Sequence, residues 1–282
     1  MSQAQVREWA LVLDAEGIPY DIAPTAEGNW TLVVAPGDAE RTAVALSAYR
    51  TENAADLLAV REPPTAATRG GKYVGLAAAG LLVAFFAVTG PRDGGSYWFG
   101  AGAADADAIR SGEVWRAATA LTLHADFEHV LANALSGALF VGLVADVLGP
   151  GVGLVLIVLA GAGGNLINVW LRGGEYSGVG ASTAVFGAVG ILAGAQFARY
   201  RRPGMPAGRG WMAVLAGLGL LILLGMNPQT DVLAHVFGFL AGLALGTLAR
   251  LGPPRPAGPA AQWALVALAL AAVAGCWVAA IG

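Results

Sequence analysis

The stretch GVGASTAVFGAVG, residues 178–190, decides how this chain is expected to fold. It consists of glycine, alanine and valine around one serine (Ser182), one threonine and one phenylalanine. A segment this small and apolar is typical of a membrane helix that packs closely against another helix. Ser182 stands near the predicted start of the helix, where it has three alternative roles: helix cap, packing residue or nucleophile.

The composition of the whole chain indicates a protein that crosses a membrane several times. Of its 282 residues, 56% are hydrophobic and 12% are charged, whereas soluble domains average about 25% charged residues. The net charge of -3 gives no indication of a nucleic-acid partner. The single cysteine, Cys276, excludes an internal disulfide framework and a multi-cysteine zinc site.

Seven apolar runs are long enough, or nearly so, to cross about 30 Å of hydrocarbon at about 20 residues each. The segment 91–128 between the first two runs is too polar to span and too apolar for a free loop. We therefore expect it to form an interfacial structure that partly re-enters the membrane. The predicted spans are residues 73–90, 129–148, 151–171, 181–198, 211–227, 232–249 and 263–281.

The order of polar and apolar segments divides the chain into four parts. The first part is predicted to fold as helix, strand, strand, helix, from one amphipathic helical face and two short alternating runs. The fold class is therefore an all-α polytopic membrane protein with a small N-terminal α+β cytoplasmic domain. The predicted parts are the soluble domain at 1–52, a linker at 53–71, a six-helix membrane domain at 72–250, and a linker with a seventh transmembrane helix at 251–282.

The basic residues predict the orientation of the chain in the membrane, because cytoplasmic loops are enriched in lysine and arginine. With the N-terminus in the cytoplasm, eight basic residues near the spans fall inside, and an odd number of spans places the C-terminus outside. Only four arginines then remain outside: Arg92, Arg110, Arg116 and Arg172. The inside set is Arg69, Lys72, Arg199, Arg201, Arg202, Arg209, Arg250 and Arg255.

Four polar residues from separate spans then share one depth near the outer face: His129, Asn133, Ser182 and His235. Polar and ionisable groups inside a membrane are costly and indicate function by default. A neutral imidazole can remove the proton of a serine hydroxyl near pH 7, and the free N–H groups at a helix start can stabilise an oxyanion. Ser182 and His235 are therefore candidates for a catalytic pair, and Asp231 is read as a loop residue rather than a third member.

A pair of polar residues and a glycine repeat also belong to the candidate site. His129 and Asn133 are four residues apart, so both side chains lie on one helix face and can donate hydrogen bonds to an oxyanion. Glycines repeat every four residues at Gly238, Gly242 and Gly246, a pattern that lets two helices touch closely. Close approach of the spans at 181–198 and 232–249 would bring Ser182 and His235 together.

Four motifs in this order resemble the rhomboid family of intramembrane serine proteases, in its bacterial form. They match the family's Trp-Arg stretch, its H-x4-H-x3-N pattern, its G-x-S-x3-F/Y-G nucleophile pattern and its A-H-x2-G-x3-G base pattern. Together they cover about residues 73–250. The matching segments are WRAATALTLH (115–124), HADFEHVLAN (124–133), GASTAVFG (180–187) and AHVFGFLAG (234–242).

The resemblance implies a rhomboid-like six-helix core and a role for each matching residue. Ser182 would be the nucleophile and His235 the general base, with His129, Asn133 and the Ser182 N–H binding the oxyanion. Gly180 and Phe186 would line the substrate site. The remaining matches, Trp115, Arg116, His124, Gly238 and Gly242, would support the structure. One departure is Thr183, where many members have glycine, since a β-branched residue there could narrow the site or shift the oxyanion donors.

The resemblance also implies a substrate class, a location and the absence of a metal or cofactor. The family cleaves transmembrane segments of other membrane proteins near the outer face, so the partners would be such helices and membrane lipids. The location would be the inner (plasma) membrane. Two alternatives remain open: a non-catalytic rhomboid-like protein that binds client helices, and a transporter with a histidine proton relay. A zinc protease would need a His-Glu-x-x-His run, which the sequence lacks.

Overall fold

A computed structural model describes seven segments of the chain, which fall into two units, residues 1–63 and 64–282. The predicted linker at 53–71 lies almost wholly outside the described residues, because 54–69 are not among them. The described residues are 3–25, 29–53, 70–172, 175–201, 207–225, 231–251 and 257–282.

The first unit is a small layer of two helices and a two-stranded antiparallel sheet. Its core consists of Val6, Ala10, Leu13 and Ile18, of which the first three lie on one face of the first helix. Tyr20 pairs with Val34 at one end of the two strands. The elements are α1 (Gln3–Ala15), β1 (Tyr20–Pro24), β2 (Trp30–Val34) and α2 (Ala39–Glu52).

The second unit is built from long helices, with a cluster of short elements after the first of them. A two-residue strand in this cluster pairs antiparallel with another just before the Ser182 helix. The elements are α3 (Gly71–Thr89), α4 (Tyr97–Gly102), β3 (Ala104–Asp105), α5 (Ala106–Arg110), α6 (Arg116–Thr119), α7 (Phe127–Leu148), α8 (Pro150–Arg172), β4 (Ser177–Gly178), α9 (Ser182–Tyr200), α10 (Ala207–Gly225), α11 (Val232–Leu251) and α12 (Pro259–Ile281).

Five helices of the described chain are long and apolar enough to cross a membrane: α3, α7, α8, α11 and α12. The protein is therefore an all-α polytopic membrane protein. The other two predicted spans, α9 and α10, are not among these five. Helix α9 consists largely of small residues, and 13 of its 19 residues are buried. In α10 the apolar stretch is shorter, from Gly208 to Leu223.

The segment 91–128 forms three short helices, α4, α5 and α6, and a 3₁₀ turn at 120–122. Hydrogen bonds tie the segment together and join it to the rest of the unit. Thr119 is fully buried and donates from Oγ1 to the Gly102 carbonyl at 2.7 Å. Asn165 of α8 donates to the Ala117 carbonyl at 2.9 Å, which joins the segment to the long helices. The segment is thus an ordered structure, as its mixed composition predicts.

Helices α9 and α11 touch backbone to backbone along the glycine repeat of α11. A Cβ atom added at any of its three glycines would overlap a carbonyl oxygen of α9. The contact is reciprocal, since Cβ atoms on two glycines of α9, Gly190 and Gly194, would overlap carbonyls of α11. The facing pairs are Gly238 with Thr183, Gly242 with Gly187, and Gly246 with Ile191.

A buried glutamine ties α12 to the turn between α7 and α8. Gln262 is 3% exposed, and its Oε1 accepts hydrogen bonds from the N–H groups of Gly151 at 2.7 Å and Val152 at 3.1 Å. Its Nε2 donates to the Leu148 carbonyl at 3.2 Å. The side chain therefore satisfies free backbone groups at the end of α7 and the start of α8, where apolar surroundings would make them costly.

The close contact predicts opposite effects for two glycine substitutions. Gly242→Ala should lower the free energy of unfolding by about 1–3 kcal/mol, because the new methyl group meets the Gly187 backbone. Gly219→Ala in α10 has no atom within 4 Å of the new methyl group, so it should be neutral or stabilising by up to about 1 kcal/mol. Thermal unfolding in detergent compares the two variants. Equal midpoints would contradict the contact.

Candidate functional site

Ser182 is the first residue of α9, and the N-cap position belongs to Ala181. The first backbone bond of the helix runs from the Val185 N–H to the Ala181 carbonyl at 2.9 Å. The N–H groups of Ser182, Thr183 and Ala184 therefore have no acceptor within the helix. The Ser182 side chain is half-buried. Because Ala181 holds the N-cap position, Ser182 is not the N-cap residue of α9.

The turn that leads into Ser182 is fixed by a glycine in an unusual conformation. Gly180 has φ +126°, a value that residues with a Cβ rarely adopt, and its N–H donates to the Ala120 carbonyl at 2.9 Å. A Cβ here would lie 2.6 Å from Nε2 of His129 and 3.6 Å from Nδ2 of Asn133. The missing side chain therefore leaves room for two polar groups from α7 directly beside the serine turn.

His235 of α11 packs against the face of α9 that carries Ser182. Ser182 and Phe186 are four residues apart, so their side chains lie on one face of α9. The Phe186 and His235 rings pack with centroids 4.5 Å apart and planes 32° apart. One turn further along α11, Gly238 rests on the Thr183 backbone. These contacts bring the Ser182 face of α9 against His235, which is 4% exposed.

Asp231 lies just before α11, but its carboxylate is engaged by groups other than the His235 ring. Oδ1 accepts from the Ala234 N–H at 3.2 Å and from Arg172 at 2.9 Å, and Oδ2 accepts from Asn168 at 2.8 Å. The His235 N–H donates to the Asp231 carbonyl at 3.2 Å. Among the described residues, Nδ1 of His235 is buried without a partner.

A network of hydrogen bonds and an ion pair joins the end of α8 to the start of α11, and it was not predicted from the sequence. Asn168, Arg172 and Asp231 belong to it, and the Arg172 guanidinium lies 4.9 Å from the Tyr176 ring centroid. Burial, with the nearby Asp231 carboxylate, raises the pKa of Tyr176, so its hydroxyl stays protonated. An asparagine inside a predicted span was the one signal that could have indicated such a partner.

His129 and Asn133 present hydrogen-bond donors to the serine turn. Nδ1 of His129 accepts from the Ala125 N–H at 3.4 Å, so in the neutral ring the proton belongs on Nε2, the atom that faces Gly180. Asn133 is 4% exposed, and its Nδ2 has no partner among the described residues. An unused buried donor is costly unless a ligand or water completes it. Both donors point to the same small space.

His124 supports the serine turn from the opposite side. It is fully buried, and its Nε2 accepts from the Ala181 N–H at 3.4 Å. Its ring lies 5.2 Å from that of His129 in an edge-on arrangement. Burial, and to a lesser extent the neighbouring His129, lowers the pKa of His124 to about 4. The ring is therefore neutral at pH 7, which keeps Nε2 available as an acceptor.

Trp115 and Arg116 belong to the segment 91–128, and the hydrogen bonds of Arg116 stay within it. Arg116 donates to the Gly100 carbonyl at 2.8 Å and forms an ion pair with Glu113 at 2.6 Å. The Trp115 indole nitrogen is buried without a partner among the described residues. The structural role inferred for these two residues stays a prediction.

Thr183 lies in the interface between helices rather than in the space beside Ser182. It is 3% exposed, and its Cγ2 methyl would lie 2.8 Å from a Cβ on Gly164 of α8 and 2.9 Å from one on Gly238. Two glycines thus leave the room that the β-branched side chain occupies. The concern that Thr183 narrows the site is not supported by this arrangement.

The lowered pKa of His124 predicts acid sensitivity. Its folded-state pKa lies below its ordinary value of 6.5, so the stabilisation is complete above pH 6.5 and is lost as the pH falls towards 4. Between pH 7 and 4 the loss should reach about 3 kcal/mol. His124→Gln keeps an acceptor that does not ionise, so its unfolding midpoint should fall less over this range than that of the wild type. Parallel curves for the two proteins would contradict this role.

Comparison with known proteins agrees with this geometry. A sequence-family profile described as "Rhomboid domain" matches residues 111–251, which is half of the chain and includes every candidate site residue. The Bacillus subtilis protein named "Putative rhomboid protease YdcA" is 32% identical over 142 residues, or 50% of this chain and 69% of its own length.

Two eukaryotic relatives match over similar stretches. Rhomboid-like protease 3 of Toxoplasma gondii is 34% identical over 51% of this chain and 55% of its own length. RHOMBOID-like protein 5 of Arabidopsis thaliana is 30% identical over 54% of this chain, which spans about half of that relative, 49%. The ordered motifs, the site geometry and these matches together show that the chain belongs to the rhomboid family.

Proposed function

We propose that this protein is an intramembrane serine endopeptidase in which Ser182 is the nucleophile and His235 the general base. The observation that carries the proposal is the pairing of α9 with α11. Ser182 opens α9 beside free N–H groups, and His235 packs on Phe186, on the same face of the helix. Membership of a family that includes intramembrane serine proteases supports the same reaction class.

The reaction follows from ordinary acyl-transfer chemistry. The Ser182 Oγ attacks the carbonyl carbon of the scissile peptide bond while His235 takes the hydroxyl proton. The resulting imidazolium gives that proton to the leaving amine as the C–N bond breaks, which leaves an ester on Ser182. A water molecule, deprotonated by His235, then attacks the ester, and the proton returns to Ser182 as the acid product departs.

The surroundings of His235 support a Ser-His dyad rather than a triad. Both carboxylate oxygens of Asp231 are occupied by Asn168, Arg172 and the Ala234 N–H. Ring packing against Phe186 and the helix contact at Gly238 hold the imidazole in place instead. A neutral imidazole is the form that can accept the serine proton.

Three donors are available for the oxyanion of the tetrahedral intermediate. They are the Ser182 N–H at the helix start, Nε2–H of His129 and Nδ2–H of Asn133. The last two flank Gly180, two residues before the nucleophile. Because the positive end of the α9 dipole points to the same place, negative charge is favoured there.

The proposed substrates are transmembrane segments of other membrane proteins, cut near the extracytoplasmic face. A helical amide is shielded and hydrogen-bonded, so a substrate helix would have to unwind locally before Ser182 reaches it. The arginine distribution supports a cytoplasmic N-terminus, an extracytoplasmic C-terminus and an outer site, in the inner (plasma) membrane. The reaction as written uses only residues of this chain, water and the peptide substrate.

A fluorophosphonate probe tests the dyad. Its phosphorus should bond to the Ser182 Oγ with loss of fluoride, so purified wild-type protein in detergent should be labelled. Ser182→Ala and His235→Ala should each abolish labelling. Ser136→Ala is the matched control, because the Ser136 hydroxyl in α7 donates to the Ala132 carbonyl, and it should be labelled like the wild type. Unchanged labelling of Ser182→Ala would sink the dyad, and an unlabelled wild type would favour a protein that only binds client helices.

The oxyanion assignment predicts a selective loss in Asn133→Ala. Cleavage of a transmembrane substrate should slow by about 10² or more in kcat, because one donor to the transition state is removed. Asn165→Ala is the control: this asparagine is equally buried but donates to the Ala117 carbonyl. It should lower the unfolding midpoint with kcat within about threefold of the wild-type value, since it lacks contact with the oxyanion. Near-normal cleavage by Asn133→Ala would contradict a role for Asn133 in binding the oxyanion.

A further inference from the structure

The C-terminal helix α12 reaches the serine turn through one aromatic side chain. Most of α12 is exposed, and its buried residues are Gln262, Ala269 and Trp277. Gln262 docks the first turn of the helix against α7 and α8. Trp277 lies at the other end, 15 residues later, and is 9% exposed. The two ends of the helix thus make different kinds of contact with the rest of the unit.

The Trp277 indole is built into the segment 91–128. Its Nε1 donates to Oγ1 of Thr122 at 3.1 Å, and Thr122 in turn donates to the Thr119 carbonyl at 2.7 Å. A Cβ on Gly102 would overlap the six-membered ring, so the backbone there lies close against the indole. The indole also packs against two aromatic rings, Phe85 in a tilted arrangement with centroids 5.4 Å apart and Trp98 edge-on with centroids 5.2 Å apart.

This aromatic cluster leads directly to the residues that hold Ser182. Leu123 is fully buried in it, and Val179 packs against it. The residue after Leu123 is His124, which accepts the Ala181 N–H. The residue after Val179 is Gly180, whose N–H donates to the Ala120 carbonyl. Both hydrogen bonds that hold the serine turn, one to a backbone carbonyl and one to the His124 side chain, therefore involve a residue next to the cluster around Trp277.

We propose that Trp277 is a positioning residue for the Ser182 turn, by which the C-terminal helix holds the nucleophile in register with its oxyanion donors. The side chain acts through Leu123 and Val179, without touching substrate. Loss of the indole would free the 119–124 and 179–181 backbones to move relative to α7. Displacements of this kind reduce the rate of the chemical step more than the binding of a substrate helix.

Hydrogen exchange and kinetics of three variants test this inference. Trp277→Ala should speed amide exchange at Gly180 and Ala181 by about tenfold or more, since those bonds lose their support. Trp277→Phe keeps a ring against Leu123 and should restore most of the protection. Trp263→Ala is the matched control, because Trp263 lies on the same helix but is 63% exposed, and it should leave the exchange unchanged.

The kinetic comparison separates positioning from general stability. Trp277→Ala, measured per folded protein, should lower kcat by about tenfold or more with KM within about twofold, and Trp277→Phe should recover most of that loss. A fall in thermal midpoint with wild-type kcat would assign Trp277 a purely structural role and overturn the inference. Only this kinetic comparison rests on the proposed function, because a wild type that cleaves no substrate would refute that function. Unchanged exchange at Gly180 and Ala181 in Trp277→Ala overturns the positioning role in either case.

Discussion

The backbone contact between α9 and α11 is the constraint on which the rest of the site depends. Gly238 and Gly242 of α11 leave no room for a side chain against the carbonyls of α9. At this distance Phe186 packs on His235 and turns the Ser182 face of α9 towards the base. A wider distance between α9 and α11 would leave both helices intact but would move Ser182 away from His235. The glycine repeat is therefore a catalytic requirement in the proposed mechanism as well as a packing pattern.

A second constraint acts on the start of α9 from the interfacial segment 91–128. The helix begins at Ser182 because Gly180 turns the chain at φ +126° and two backbone N–H groups hold the turn, one donating to the Ala120 carbonyl and one to Nε2 of His124. The same glycine leaves the space into which His129 and Asn133 project their donors. One conformation thus places Ser182, the proposed nucleophile, beside the free helix N–H groups and the side-chain donors of His129 and Asn133.

The ordered motifs and the apolar periodicity of the sequence predict the helix pairing and the residues that meet there. Small-residue repeats indicate close contact between helices, and polar groups inside a span are costly unless they have a function. Long-range hydrogen bonds were not predictable, since no local pattern indicates that Gln262 caps α8 or that Asp231 binds Asn168 and Arg172. The consequence of Thr183 was also hidden, because it depends on Gly164, a residue from a different helix. The extent to which α9 is enclosed by protein, with 13 of its 19 residues buried, was likewise not predictable from its apolar pattern alone.

The most direct measurement of the central claim is an experimental structure of the phosphonylated protein, in which the adduct mimics the tetrahedral intermediate. The account predicts phosphorus bonded to the Ser182 Oγ and a phosphoryl oxygen about 3 Å from the Ser182 N–H and the donors of His129 and Asn133. The His235 ring should remain stacked on Phe186 with Nε2 directed to Oγ. An adduct on another residue, or a phosphoryl oxygen directed away from these donors, would contradict the account.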